Sequence, residues 1–278
     1  MDFFDTHVHF LGAGSLDEIK PRWQPLIHSG LRGIAGIVKA HPPHERERYL
    51  KLIPKAYHHL VDLNFMGEEL GSQLAVARAL MEREVFPYLD CRFLSQEDSD
   101  LSAFREAGFR GLKVLYIPEE DRQLGLAGWE NFFGRSKAES EKMVGRMIGQ
   151  AVSFRWPVIF HAHLKQYGEF AKEILETFPS HPFIIPHFGF SRKIIAHFME
   201  RFDQCYSDFS SLLPYMKDDP EGYKDFITVF QDRILFGTDT SLSQPDIITN
   251  YYNFTVTLII DREIQKKILS GNYLRIHS

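Results

Sequence analysis

The chain has only two cysteines in 278 residues, Cys91 and Cys205. That is too few for a disulfide framework and fits a reducing compartment. There is no basic excess either: Lys and Arg number 32 against 37 Asp and Glu, a formal net charge of −5. Non-specific binding to nucleic acid calls for a basic face, so that class of partner is set aside. No apolar run reaches the roughly 18 residues a membrane helix needs, so no membrane association is expected. The first β-prone run begins at Asp2, which leaves no room for a signal peptide and points to the cytoplasm. Linkers, low-complexity tracts and short internal repeats are absent, and residues 1–278 read as one domain. With 44% hydrophobic and 25% charged residues, the composition is that of a globular protein long enough to bury a substantial core.

What is present begins at the N-terminus. Asp2-Phe3-Phe4-Asp5-Thr6-His7-Val8-His9-Phe10 is a β-prone run ending in His-x-His. Strand side chains alternate faces, so His7 and His9 point the same way, and Asp5 shares their parity as an acceptor behind them. Two imidazoles on one face at a strand end are half of a metal site.

Further β-like runs follow at Ile34–Val38, Val85–Cys91, Phe109–Tyr116, Trp156–Phe160, Phe183–Pro186, Gln204–Phe209 and Arg233–Phe236. Helical patterns separate them. Ser15-Leu16-Asp17-Glu18 and Ser136-Lys137-Ala138-Glu139 read as capping boxes, and Glu68–Glu84 reads as a helix with Leu70, Leu74, Ala77 and Met81 near helical spacing. Met143, Val144, Met147, Ile148, Ala151 and Val152 form a helical stripe expected to pack in the core. The excursion Ile117–Ser136 is rich in Gly and aromatics, as functional loops often are.

Eight strands alternating with helices over roughly 250 residues predict a single (β/α)8 barrel, with the active site at the C-terminal strand ends. A doubly wound sheet would favour a Gly-rich phosphate loop after the first strand, and none is there. His7, His9, Lys113, His161, His187 and Asp239 all fall at or near C-terminal strand ends, which in a barrel converge on one face.

These residues carry a resemblance. His-x-His on strand one, Gly111-Leu112-Lys113 on strand four, His161, His187-Phe188-Gly189, Gly237-Thr238-Asp239 and Gly271-Asn272-x-x-Arg275 are together similar to the amidohydrolase superfamily. Within it, the pattern is most similar to the amidohydrolase-related (family 2) TIM-barrel metal-dependent hydrolases. That branch also holds lactonases and decarboxylases of the aminocarboxymuconate-semialdehyde type. The resemblance implies that His7, His9, His161 and Asp239 are metal ligands. It implies that His187 contacts the metal's water, the substrate or a second ion, and that Lys113 matches a strand-four lysine some members carbamylate to bridge two ions. Zn²⁺ suits three imidazoles and a carboxylate, with Mn²⁺ or another first-row divalent ion as the alternative; one or two ions are allowed. The implied activity is hydrolysis of a small amide, lactone or ester by metal-activated water, with Asp239 moving the proton and His187 stabilising charge on oxygen. Decarboxylation of a small aromatic acid on the same scaffold is the alternative, and some decarboxylases of the branch lack the lysine. A deoxyribonuclease of the TatD type also starts near Asp-Thr-His-x-His. It carries acidic residues where this chain reads Gly-Leu-Lys and Gly-Thr-Asp, which sets it further back.

Candidate contacts to a small-molecule substrate are His163, His41, Arg92 and Trp129. His163 shares parity with His161 and reads first as a rim residue. His41 and His44 flank Pro42-Pro43, and His41 is the better substrate contact. Arg92 and Arg192 follow strands three and six and could anchor a carboxylate, or be paired in salt bridges. Trp129, Phe132 and Phe133 read as an apolar lid over the site, with a satellite cluster or a subunit interface as the competing reading. Self-association into a homo-oligomer stays open.

Overall fold

A computed structural model describes residues 1–11, 16–40, 43–61, 78–79, 84–95, 97–98 and 100–278. β1 (Phe3–His9), β2 (Leu31–Lys39), β3 (Glu84–Asp90), β4 (Gly111–Leu115), β5 (Val158–His161), β6 (Phe183–Ile185) and β7 (Cys205–Asp208) lie side by side in chain order, each parallel to the next. Two short pieces share the eighth position: β8 (Ile234–Leu235) pairs with β7, and β9 (Thr240–Ser241) pairs with β1. One segment therefore touches both edges of the sheet, and the α/β barrel architecture expected from the alternation is the one observed. Sequence patterning ends the eighth strand at Phe236. The ladder does break at Gly237-Thr238-Asp239, where Asp239 adopts a φ of 61°, and it resumes as β9, a piece the patterning does not predict. Backbone bonds from Thr6 N to Phe236 O (2.9 Å) and from Asp239 N to His7 O (2.8 Å) carry the closure across the break.

Strand side chains alternate between the helical layer and the barrel interior. Phe4, Ala35, Ile37, Tyr88, Ile159, Ile184, Tyr206 and Leu235 fill the lower interior, plugged by Tyr273 and Ile276 of the C-terminal helix Asn272–Ile276. Two residues further along the same strands, the inward positions turn polar: Lys39, Asp90, His161 and Asp208. All but the partly buried His161 are shut off from solvent. β1 follows this rule through an irregularity. Its register against β2 shifts between Asp5 and Val8, so Phe4 faces inward below the break and His7 and His9 face inward above it.

The helix Lys137–Ser153 starts at the expected capping box, with Ser136 accepting from Glu139 N and Glu139 reaching back, and it buries Met143, Val144, Met147, Ile148 and Ala151. The capping box at Ser15, the loop Gly12–Gly14, His41 and nearly all of the helix expected over Glu68–Glu84 lie outside the described residues. Glu84 itself opens β3. None of the helices among the described residues is long and apolar enough to cross a membrane.

The lid reading of Trp129 is corrected. Residues Gly128–Phe133 form a short helix, and Trp129 is fully buried in the main hydrophobic cluster, edge-on to Tyr116 and 5.8 Å from the Arg135 guanidinium. Phe132 and Phe133 pack partly buried against the same cluster. An indole offers more apolar area to a core than to a water-facing loop. Trp129→Ala should therefore lower the free energy of unfolding by about 3–5 kcal/mol and leave KM of the folded fraction unchanged. Urea denaturation and steady-state kinetics on the same sample check this.

Candidate metal centre

The polar ring at the top of the barrel is built around Asp239. Its Oδ1 lies 3.1 Å from His9 Nε2 and 3.3 Å from His7 Nε2. These three ligand atoms fall within 4.8 Å of one another and form a group that could hold a metal ion. Its Oδ2 accepts from Ser211 Oγ at 2.7 Å and from the Tyr57 hydroxyl at 3.4 Å. Burial pushes the Asp239 carboxyl up, but His7, His9 and His187 outweigh it and hold the pKa well below the usual range.

His7 is oriented from behind. Its Nδ1–H donates to Asp208 Oδ2 at 3.0 Å, which leaves the Nε2 lone pair facing Asp239 and, at 3.0 Å, Lys113 Nζ. A carboxylate holding the far nitrogen of an imidazole sets its tautomer and raises its basicity as a ligand. Asp208 also accepts the backbone N–H groups of His187 and Ser210, each at 3.1 Å, and the Ser210 hydroxyl. Burial raises its pKa; the His7 hydrogen bond and the nearby imidazole and hydroxyl donors more than offset this and hold it well below the carboxylate range.

Asp208 was not singled out from the sequence, although the strand carrying it was. Asp5, expected to stand behind the imidazoles, instead accepts from the His7 backbone N–H (3.0 Å) and from Thr238 N and Oγ1 (3.1 and 2.6 Å). The register shift in β1 turns its side chain toward the broken eighth strand, so it braces the corner that presents Asp239.

His161 stands apart from the group of three. Its Nδ1 faces His187 Nε2 at 3.3 Å, and His187 Nε2 is 4.0 Å from Asp239 Oδ2. The four-residue set implied by resemblance is thus divided: His7, His9 and Asp239 come together, and His161 stands instead against His187, a residue outside that set. His187 Nδ1–H donates to the Ser210 carbonyl at 2.8 Å, so Nε2 carries the lone pair. In that tautomer the neutral ring can accept a proton or bind a cation at Nε2. His187, Phe188, Gly189 and Phe190 occupy four successive positive-φ positions. A Cβ on Gly189 would come within 2.4 Å of Leu164 Cδ1. Such strain persists only where the surroundings over-determine it, and it turns the His187 ring into the mouth.

The donor set fits a divalent ion. Ligand atoms on one ion at about 2.0–2.2 Å stand about 3.0–3.5 Å apart, as Asp239 Oδ1 does from both imidazoles. The buried Nδ1 of His9 has no partner among the described residues. Burial lowers the pKa of His9 to about 3 and lowers those of His161 and His187 as well, so these rings are neutral and free to coordinate. Burial pushes Lys113 down to about 8, against the pull of Asp239 and Asp208.

These shifts give a stability profile for the metal-free protein. The unfolded imidazoles take up protons near pH 6.5 while the folded ones resist. Their contribution is therefore complete above about pH 6.5 and is lost as pH falls from there through the folded pKa values. Asp5, raised to about 7 by burial, binds its proton in the folded state over that interval and offsets one ring. His181 and His277 are lowered by burial too, so the rings outnumber Asp5 and a net loss of stability is expected as pH falls from about 6.5 to about 5. Urea titrations at each pH measure it, and His9→Asn should flatten the slope.

Two cavities meet at the cluster. One, of about 310 Å³, is lined by His9, Tyr57, Arg92, Lys113, His161 and Asp239, with Leu11, Pro54, Leu115 and Leu124 as apolar wall. The other, of about 350 Å³, is lined by His163, Tyr167, Phe190, Arg192 and Tyr223, and both contain His161, His187 and Tyr215. His163 sits on the rim, stacked on Phe190 at 4.9 Å. Arg192 reaches Asp219 at 2.5 Å and covers the Tyr223 ring. His44 is exposed.

Imidazoles and carboxylates thus gather at the C-terminal mouth of a parallel α/β barrel, with a group of three that could hold a metal ion. The amidohydrolase family model matches residues 75–276, and the chain belongs to the amidohydrolase family. No curated protein matches the chain. Among solved structures, an uncharacterised TIM-barrel protein from Bordetella bronchiseptica is 16% identical, with 99% of this chain and 98% of that one covered and a TM-score of 0.60. A lactonase from Listeria monocytogenes is 10% identical over 100% of this chain and 94% of that one, TM-score 0.63. An organophosphorus hydrolase from Deinococcus radiodurans is 12% identical over 100% and 92%, TM-score 0.59. At these identities the likeness is one of fold.

Proposed function

We propose that the chain is a metal-dependent hydrolase of a small carbonyl compound, a lactone, ester or amide. His7, His9 and Asp239 would hold the ion. The observation that carries this reading is the convergence of two imidazole nitrogens and one carboxylate oxygen at 3.1 and 3.3 Å. The lactonase among the structural neighbours adds support for a carbonyl substrate. Imidazole donors favour Zn²⁺, with Mn²⁺ as the competitor.

When bound, such an ion supplies Lewis acidity, lowering a water's pKa from 15.7 toward about 7 and polarising a carbonyl. The chain's own residues do the rest. Asp239, ionised at neutral pH, takes a proton at Oδ2 and returns it to the leaving atom. Ser211 and Tyr57 hold that oxygen in place through their hydroxyls. His187 offers the Nε2 lone pair beside it. Lys113 donates to His7 Nε2 at 3.0 Å.

Elemental analysis of protein purified without chelators, followed by assays on simple lactones and esters, tests the reading. About two ions per chain would assign Lys113 as the bridge and His161 with His187 to the second ion. About one would leave His187 as a proton acceptor. Ring-opened or cleaved acid is the expected product; CO₂ release would replace hydrolysis by decarboxylation, and failure to bind Zn²⁺ or Mn²⁺ would overturn both.

A further inference from the structure

Arg92 is placed as few buried arginines are. It follows β3 directly, in the turn Cys91–Phe93, and is 3% exposed, yet it forms part of the 310 Å³ cavity wall that also contains His9, Lys113 and Asp239. Asp90, inward on β3, grips one edge of the guanidinium: Nε lies 3.0 and 2.8 Å from its two oxygens, and Nη2 2.7 Å from Oδ2. Nη1 donates to the Leu52 carbonyl at 3.0 Å. Of five N–H donors, one on each Nη is left without a partner among the described residues. Asp90 thus fixes the side edge of the fork and leaves part of its end uncommitted.

The surrounding charge favours an anion. Lys39 pairs in register with Asp90 across β2 and β3, and its buried Nζ has one long contact, to Phe10 O at 3.5 Å. Lys39 and Arg92 are therefore both buried beside Asp90, and Lys113 lines the same cavity, nearer Asp239 and Asp208. Guanidinium groups buried without full pairing are costly, and a planar fork with free N–H groups matches a carboxylate. Leu11, Pro54, Leu115 and Leu124 add apolar lining to the same cavity.

We propose that Arg92 anchors a carboxylate of the substrate, so that the compound acted on is a small acyl compound carrying a free carboxylate beyond its reacting carbonyl. Asp90 is the positioning residue that aims the guanidinium. The proposal rests on the metal-centred reading above and narrows its substrate class.

The probes are acetate, the dicarboxylates malonate, succinate and glutarate, and butyrate, titrated by calorimetry into the zinc-loaded protein. In the wild type, the best-fitting dicarboxylate should bind at least about tenfold tighter than acetate, and succinate tighter than butyrate, which has the same chain length and a single carboxylate, by a similar factor. Arg92→Met should abolish that advantage while leaving acetate affinity and zinc content unchanged. Should the lone Asp90 carboxylate prevent folding of that variant, Asp90→Asn/Arg92→Met removes both charges together and should give the same loss. Equal affinities of wild type for succinate and butyrate would overturn the proposal without touching the metal site. So would a dicarboxylate advantage that survives in the double variant. Loss of zinc and acetate binding in the wild type would instead fail the underlying metal-centred reading.

Discussion

Asp239→Asn should cut turnover by about 10²–10⁴-fold while the barrel stays folded. The two oxygens of Asp239 have separate duties. Oδ1 faces the imidazole nitrogens of His7 and His9, and Oδ2 receives the hydroxyls of Ser211 and Tyr57. An amide of the same shape must turn its NH₂ toward one of those sets. Facing the imidazoles, it presents donors where a cation would sit; facing the hydroxyls, it meets two donors with a third. Either way the negative charge that draws a divalent ion and accepts a proton is gone. Ions per chain, kcat and the unfolding midpoint, measured together, separate lost chemistry from lost fold. Activity near wild type would contradict the role given to Asp239.

Asp208→Ala should have the second largest effect, and a mixed one. Asp208 is fully buried and accepts from His7, the His187 backbone, and Ser210 twice over. Truncation strands four donors in a dry interior and is expected to cost about 3–5 kcal/mol of stability. It also frees the His7 ring to choose the other tautomer, so metal affinity should fall about 10–100-fold in the protein that still folds. Asp208→Asn separates the two effects. An amide oxygen can still accept from His7 Nδ1–H, so it should recover part of the metal affinity while keeping a stability deficit. Chelator competition and urea denaturation provide the two readings. If Asp208→Asn matched wild type in both, Asp208 would be mere filler behind His7.

How far residue order alone reached is visible in particular positions. Lys113 and His161 were legible because each falls at or near the C-terminal end of an apolar run, the end a barrel gathers on one face. Period-2 alternation misled at Asp5. It shares parity with His7 and His9 in the sequence, but a register shift in β1 intervenes, and nothing in Asp5-Thr6-His7 announces it. Asp208 was overlooked for a related reason. Its importance comes from His7, 201 residues earlier in the chain, and such a partnership has no local signature. Trp129 shows the opposite error: an aromatic-rich excursion reads as a lid until packing shows it has a core of its own to enter.

The chain by itself determined the alternation of strands and helices, and with it the barrel and the end of it that carries chemistry. Those follow from hydrophobic period and from short-range backbone geometry, which act within a few residues. Only the tertiary structure decided which nitrogen of each imidazole is free, that His161 pairs with His187 apart from His7 and His9, and that Asp239 turns inward through a broken strand. Each of these depends on hydrogen bonds between segments distant in sequence, and their geometry exists only once the barrel has closed.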